Sequence, residues 1–109
     1  MPNYMLIFSF VIFTSTLEAA SFEFQKCMDE VDYSAMKNTQ MNACIDAEYL
    51  RVLNATPKRY PLDLKAKDTS LAADVCEAKD HSREAPNPYF SKISCRIELL
   101  KDLYSIYQR

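Results

Sequence analysis

Four cysteines and a single histidine are the most reactive side chains in this 109-residue sequence, and their spacing limits what they can do. A thiol–imidazole nucleophile pair needs a free thiol of lowered pKa beside its base. Cys27, Cys44, Cys76 and Cys95 can pair among themselves and leave no such thiol. Zinc needs closely spaced ligand pairs such as C-x2-C, whereas these thiols lie many residues apart. His81 follows Cys76 by five residues and has no third or fourth ligand nearby. The carboxylates of Asp29, Glu30, Asp32, Asp46 and Glu48 could in principle serve as acid and base. On helices, however, such groups usually form the solvated face, and a bundle of about 90 residues rarely encloses a cleft. The sequence also contains no Gly, which removes phosphate-cradling loops and dinucleotide fingerprints. No catalytic residue, metal or cofactor is therefore expected.

The remaining chemistry of the thiols is cross-linking. An even number of cysteines in so small a chain points to an oxidising compartment and a core that needs staples. Four cysteines allow three connectivities, and pairing nearest neighbours in sequence favours Cys27–Cys44 with Cys76–Cys95. Each bridge would contribute on the order of 3 kcal/mol by restricting the unfolded chain. The N-terminus agrees with export. Tyr4 to Phe13 is an apolar run too short to span a bilayer, followed by polar Thr14-Ser15-Thr16 and small Ala19-Ala20-Ser21. This reads as a signal peptide over 1–20 and a single domain over 21–109, cut after Ala19 or Ala20. Glu18 at the −3 position disfavours the second cut. The alternative is an uncleaved, buried N-terminal helix. Formal charge is −2, which supplies no basic surface for nucleic acid and no broad acidic field to steer a basic partner.

The elements that must position these residues are helical. Residues 22–34 form either a short helix or a packed arm held by Cys27. Met41, Cys44, Ile45, Tyr49, Val52 and Leu53 recur at helical spacing and predict an amphipathic helix over about 39–55. Asn38 or Thr39 is its expected N-cap, and Asn42, Asp46, Glu48 and Arg51 fall on its polar side, with Leu50 exposed. Thr56-Pro57 and Pro61 predict a bend over 56–61, with Thr56 placed to cap a new turn. A helix over 62–78 carries Leu64, Leu71 and Val75 and packs closely through Ala66, Ala72 and Ala73. Residues 79–89 read as an exposed loop ending in Asn87-Pro88, an N-cap and first-turn pair. The last helix presents Phe90, Ile93, Ile97, Leu100, Tyr104 and Tyr107 inward, and Lys92, Arg96, Lys101 and Asp102 outward. The fold class is all-α: a small disulfide-stapled bundle of three or four helices.

Cys27-Met28-Asp29-Glu30 together with Thr39-Gln40-Met41-Asn42-Ala43-Cys44-Ile45-Asp46-Ala47-Glu48-Tyr49, followed by Tyr60, resembles the lysozyme-inhibitor LprI-like family. Cys76 and Cys95 look like that family's second cysteine pair. The good match covers about 27–60. The chain also departs from the pattern: Leu53 stands where it has Asp, Thr56-Pro57 where it has Leu-Asn, and Leu99 and Asp102 where it has Thr and Arg. The middle helix has Asp68 and Ala72 near the usual Trp and Arg. The resemblance implies an exported periplasmic or secreted helical domain whose partner is a protein, a lysozyme-type muramidase. A glycosidase cleft presents two carboxyl groups, so an inhibitor needs a rigid protruding segment rich in hydrogen-bond donors. His81, Ser82 and Arg83, between Cys76 and Cys95, are the candidate contact. The alternative is an exported protein-interaction module without inhibitory activity. In that reading Tyr33, Tyr60, Tyr89, Tyr104 and Tyr107 form an exposed aromatic patch, although Tyr49, Tyr104 and Tyr107 also lie on predicted core faces.

Overall fold

The computed structural model describes residues 20–107 apart from Ala35 and Ala85, so the leader expected over 1–20 lies almost wholly outside the described residues. Among the described residues four α-helices follow one another: α1 (Phe22–Asp29), α2 (Lys37–Asn54), α3 (Leu62–Ala78) and α4 (Pro88–Ser105), with a short 3-10 turn at Ser82–Glu84. The all-α expectation holds, as does the connectivity: Cys27 is bonded to Cys44 and Cys76 to Cys95. One bridge ties α1 to α2 and the other ties α3 to α4.

α4 is the hub. α2 and α3 each pack against it; their own backbones stay apart and meet through side chains, as where Lys65 of α3 donates to the Leu53 carbonyl of α2, while α1 packs on α2. Ile93, Ile97, Leu100 and Tyr104 recur at three- and four-residue spacing along α4 and meet Ile45 and Val52 of α2 and Ala72 of α3. Tyr60, in the α2–α3 connection, closes the end of this core. Its ring meets those of Tyr104 and Tyr107 edge-on, with centroids 4.9 and 4.7 Å away. Tyr60 donates its hydroxyl proton to Asp68. Burial, then that bond to an anion, pushes its phenol well above the usual range. Tyr60 and Tyr104 are thus core residues, which corrects the aromatic-patch expectation for Tyr60 and agrees with the inward face expected for Tyr104; Tyr33 and Tyr89 are exposed.

The helix ends follow local rules with two departures. Asn87 accepts the Phe90 backbone N–H on Oδ1 at 3.1 Å, and Pro88 opens α4, as the Asn-Pro pair implied. α2, however, begins at Lys37 behind Met36 with no side-chain cap. Asn38 is already in its first turn, where its Nδ2 donates to the Pro86 carbonyl at 3.2 Å. Thr56 does not cap a new turn either. Its hydroxyl donates backward to the Leu53 carbonyl at 2.6 Å, where Lys65 also donates at 3.1 Å. The terminal carbonyls of a helix lack partners within it, and these two side chains supply them.

α3 departs most from expectation. Its backbone comes close to α4 alone among the helices, and Ala72 and Cys76 form the narrow buried stripe there. Of the three alanines expected to pack, Ala72 is buried and Ala73 half-buried but Ala66 is exposed, and so are Leu71 and Val75, expected on the apolar face.

Candidate functional site

The loop between the second pair of cysteines is pinned at several points. The Cys76–Cys95 bridge closes its base. His81 Nε2 meets the Cys76 carbonyl at 2.7 Å, and since a carbonyl only accepts, this nitrogen carries the proton. The Ser82 backbone N–H donates to Asp80 Oδ1 at 2.9 Å, forming a local turn and holding the Asp80 carboxyl below its usual range. Asn38 then ties the far end of the loop to α2 through Pro86.

This arrangement splits the three candidate contact residues. Ser82 and Arg83 are exposed on the 3-10 turn. His81 is only 5% exposed. Its ring is folded back onto the end of α3, so the expectation of an exposed imidazole finger is corrected. The histidine is an internal strut and its two neighbours are what the loop presents. Nor does a Cys–His nucleophile pair form: Cys76 is cross-linked, and His81 reaches its carbonyl rather than its sulfur. Among the described residues no group of His, Cys, Asp and Glu is arranged to hold a metal ion, and no helix is long and apolar enough to cross a membrane.

Two largely apolar depressions open on the surface, one along α4 and one between α2 and α3. Leu71 and Val75 of α3 and Leu99, Leu103 and Ile106 near the end of α4 border a groove of about 270 Å³ that carries almost no polar atoms. Ile106 is 66% exposed there. A larger depression of about 530 Å³ opens where α2 and α3 diverge, between Tyr49 and Leu53 on one side and Leu62 and Ala66 on the other.

The residue that the sequence reading misplaced most is Glu48. Assigned to the polar side of α2, it is 3% exposed and sits on the core face, three residues after Ile45 and four before Val52. That spacing was the available signal. Both carboxylate oxygens are engaged by Ser21: Oε2 accepts the backbone N–H and Oε1 the hydroxyl, each at 2.8 Å. Arg51 Nε adds a third bond to Oε1 at 2.9 Å. Burial alone would raise this carboxyl, but the Ser21 N–H, the Arg51 guanidinium and the Ser21 hydroxyl outweigh it and hold it below the ordinary value. A group depressed in the folded state contributes stability above its unfolded pKa and loses it as pH falls through the folded one. Acid titration of stability should therefore show a loss beginning near pH 4.5. The Glu48→Gln variant, less stable at neutral pH, should show a flatter profile there in urea unfolding followed by circular dichroism.

Set against known proteins, the chain has no match among protein-family models, curated proteins or solved structures.

Proposed function

We propose that this protein is an exported binding protein that blocks a lysozyme-type muramidase by surface contact. The observation that supports this reading best is the pre-organisation of the loop over 79–87. A disulfide, a buried histidine, an Asx turn and a tie to α2 hold it, so little freedom is lost when it docks. What it offers is an exposed guanidinium and a hydroxyl, Arg83 and Ser82. A guanidinium forks onto a carboxylate through two parallel hydrogen bonds, and a muramidase cleft holds a pair of carboxyl groups. The intact disulfides support a life outside the reducing cytosol, periplasmic or secreted.

The purified oxidised protein is expected to slow cell-wall clearing by a muramidase at micromolar concentration. Arg83→Ala should weaken the inhibition roughly tenfold, the loss of about 1.4 kcal/mol typical of a contributing contact, with unchanged thermal stability. Ser82→Ala should have a smaller effect in the same direction. The second reading, an exported interaction module without inhibitory activity, draws its support from the apolar groove bordered by Leu71, Val75 and Ile106. The absence of inhibition across lysozyme types would select it.

A further inference from the structure

We infer that the peptide bond between Ala20 and Ser21 is a processing site, and that the α-ammonium it releases on Ser21 is the counter-charge of the buried Glu48. A carboxylate enclosed between Ile45 and Val52 is costly unless it is both hydrogen-bonded and paired with a cation. Arg51 supplies a charge on one side, bound through a single nitrogen to Oε1, with a side chain 37% exposed. Oε2 faces the backbone nitrogen of Ser21, 27 residues earlier in the chain, at 2.8 Å. That nitrogen follows Ala20, a residue small enough to precede a leader-peptidase cut.

The chemistry is a hydrolysis catalysed by an endopeptidase on the outer face of the exporting membrane. The C–N bond between Ala20 and Ser21 breaks, and the hydroxyl of one water completes the Ala20 carboxyl. The Ser21 nitrogen takes the remaining proton of that water and a further one from solvent at neutral pH. One neutral donor becomes a cation with three donors at the same position, already within bonding distance of Glu48. The change anchors the start of α1, whose first turn is capped by the same serine: Ser21 Oγ accepts the Phe24 N–H at 3.1 Å. Ala20, Glu98 and Lys101 line the adjoining cavity of about 270 Å³ together with Phe24, Phe90 and Glu48, so removal of Ala20 leaves the ammonium open space on that side. Cleavage after Ala19 would leave the Ser21 nitrogen an amide and place the charge one residue further away. The geometry thus selects the cut that Glu18 at −3 argued against.

The inference rests on export, and the test separates the two. The full chain is expressed in an exporting host, and the protein recovered outside the cytosol is examined by intact mass and N-terminal sequencing. The expected N-terminus is Ser21. An exported protein that begins at Ala20, begins elsewhere or keeps its leader overturns the inference and leaves export standing. A full-length chain confined to the cytosol overturns both. On the form that begins at Ser21, the α-amino pKa measured by NMR should lie above the ordinary range of about 7.7–8.0, and a value within or below that range overturns the ion pair. Nα-acetylation, which keeps one N–H and removes the charge, should lower the urea midpoint of the wild type but not that of Glu48→Gln. Equal lowering in both backgrounds would likewise overturn it.

Discussion

Replacing Cys76 and Cys95 together by alanine should lower stability by about 3 kcal/mol, the closure entropy of a loop with a sequence separation of 19. A domain of this size holds roughly 5–13 kcal/mol in all, so one bridge is a large share of it. In a domain this small, about 3 kcal/mol corresponds to a melting temperature lower by roughly 10–25 °C. The loss falls on the centre of the molecule, because Cys76 is fully buried and joins α3 to the hub helix. The same replacement at Cys27 and Cys44 should behave differently. α1 contains no buried residue and is held by its bridge, by the Ser21–Glu48 contact and by half-buried Phe24, whose ring lies 6.3 Å from that of Phe90. Its release should appear in hydrogen exchange as local loss of protection over residues 22–29, with α2, α3 and α4 retained. If the two double variants melt alike, with loss of all four helices at once, the assignment of α4 as the hub is wrong.

Leu100→Ala should cost a similar amount by another route. Leu100 is fully buried at the middle of α4, amid the side chains contributed by α2, α3 and the Tyr60 corner. Truncation removes the transfer free energy of the lost carbons and leaves a cavity that the bridged helices cannot collapse to fill. Together these terms amount to about 3–5 kcal/mol. Leu50→Ala serves as the control. Leu50 is 60% exposed on the outer side of α2 and its truncation should change stability by less than about 0.5 kcal/mol. Urea unfolding of the two variants measures the contrast directly. A cost below about 1 kcal/mol at Leu100 would mean that the core is not packed around it.

Both experiments probe features that were legible in the residue order to different degrees. The inward face of α4 could be read completely. Ile93, Ile97, Leu100 and Tyr104 keep helical spacing, and a helix at the hub of a bundle must bury such a stripe. α3 could be read only in extent. Periodicity shows that Leu71 and Val75 share a face, but not whether a neighbour covers it; in the fold that face borders a groove with Leu99, Leu103 and Ile106 and stays exposed. His81 was misread for a related reason. A polar residue in a polar, proline-bounded segment looks exposed, but its ring folds back to the Cys76 carbonyl at the end of α3, the same residue that the bridge ties to Cys95.

What the linear sequence determined by itself was local: helices spaced by proline, an Asn-Pro start for α4, a helical core stripe and an even set of thiols whose nearest neighbours pair. Side-chain period and backbone capping act within a few residues, so order along the chain is enough to specify them. The tertiary structure alone decided that Glu48 is buried, that Ser21 reaches it across 27 residues, and that His81 braces the loop presenting Ser82 and Arg83. These are pairings of single polar groups brought together by packing. Their partners are chosen by the cost of leaving a buried donor or acceptor unmatched, which exists only once the helices have closed around it.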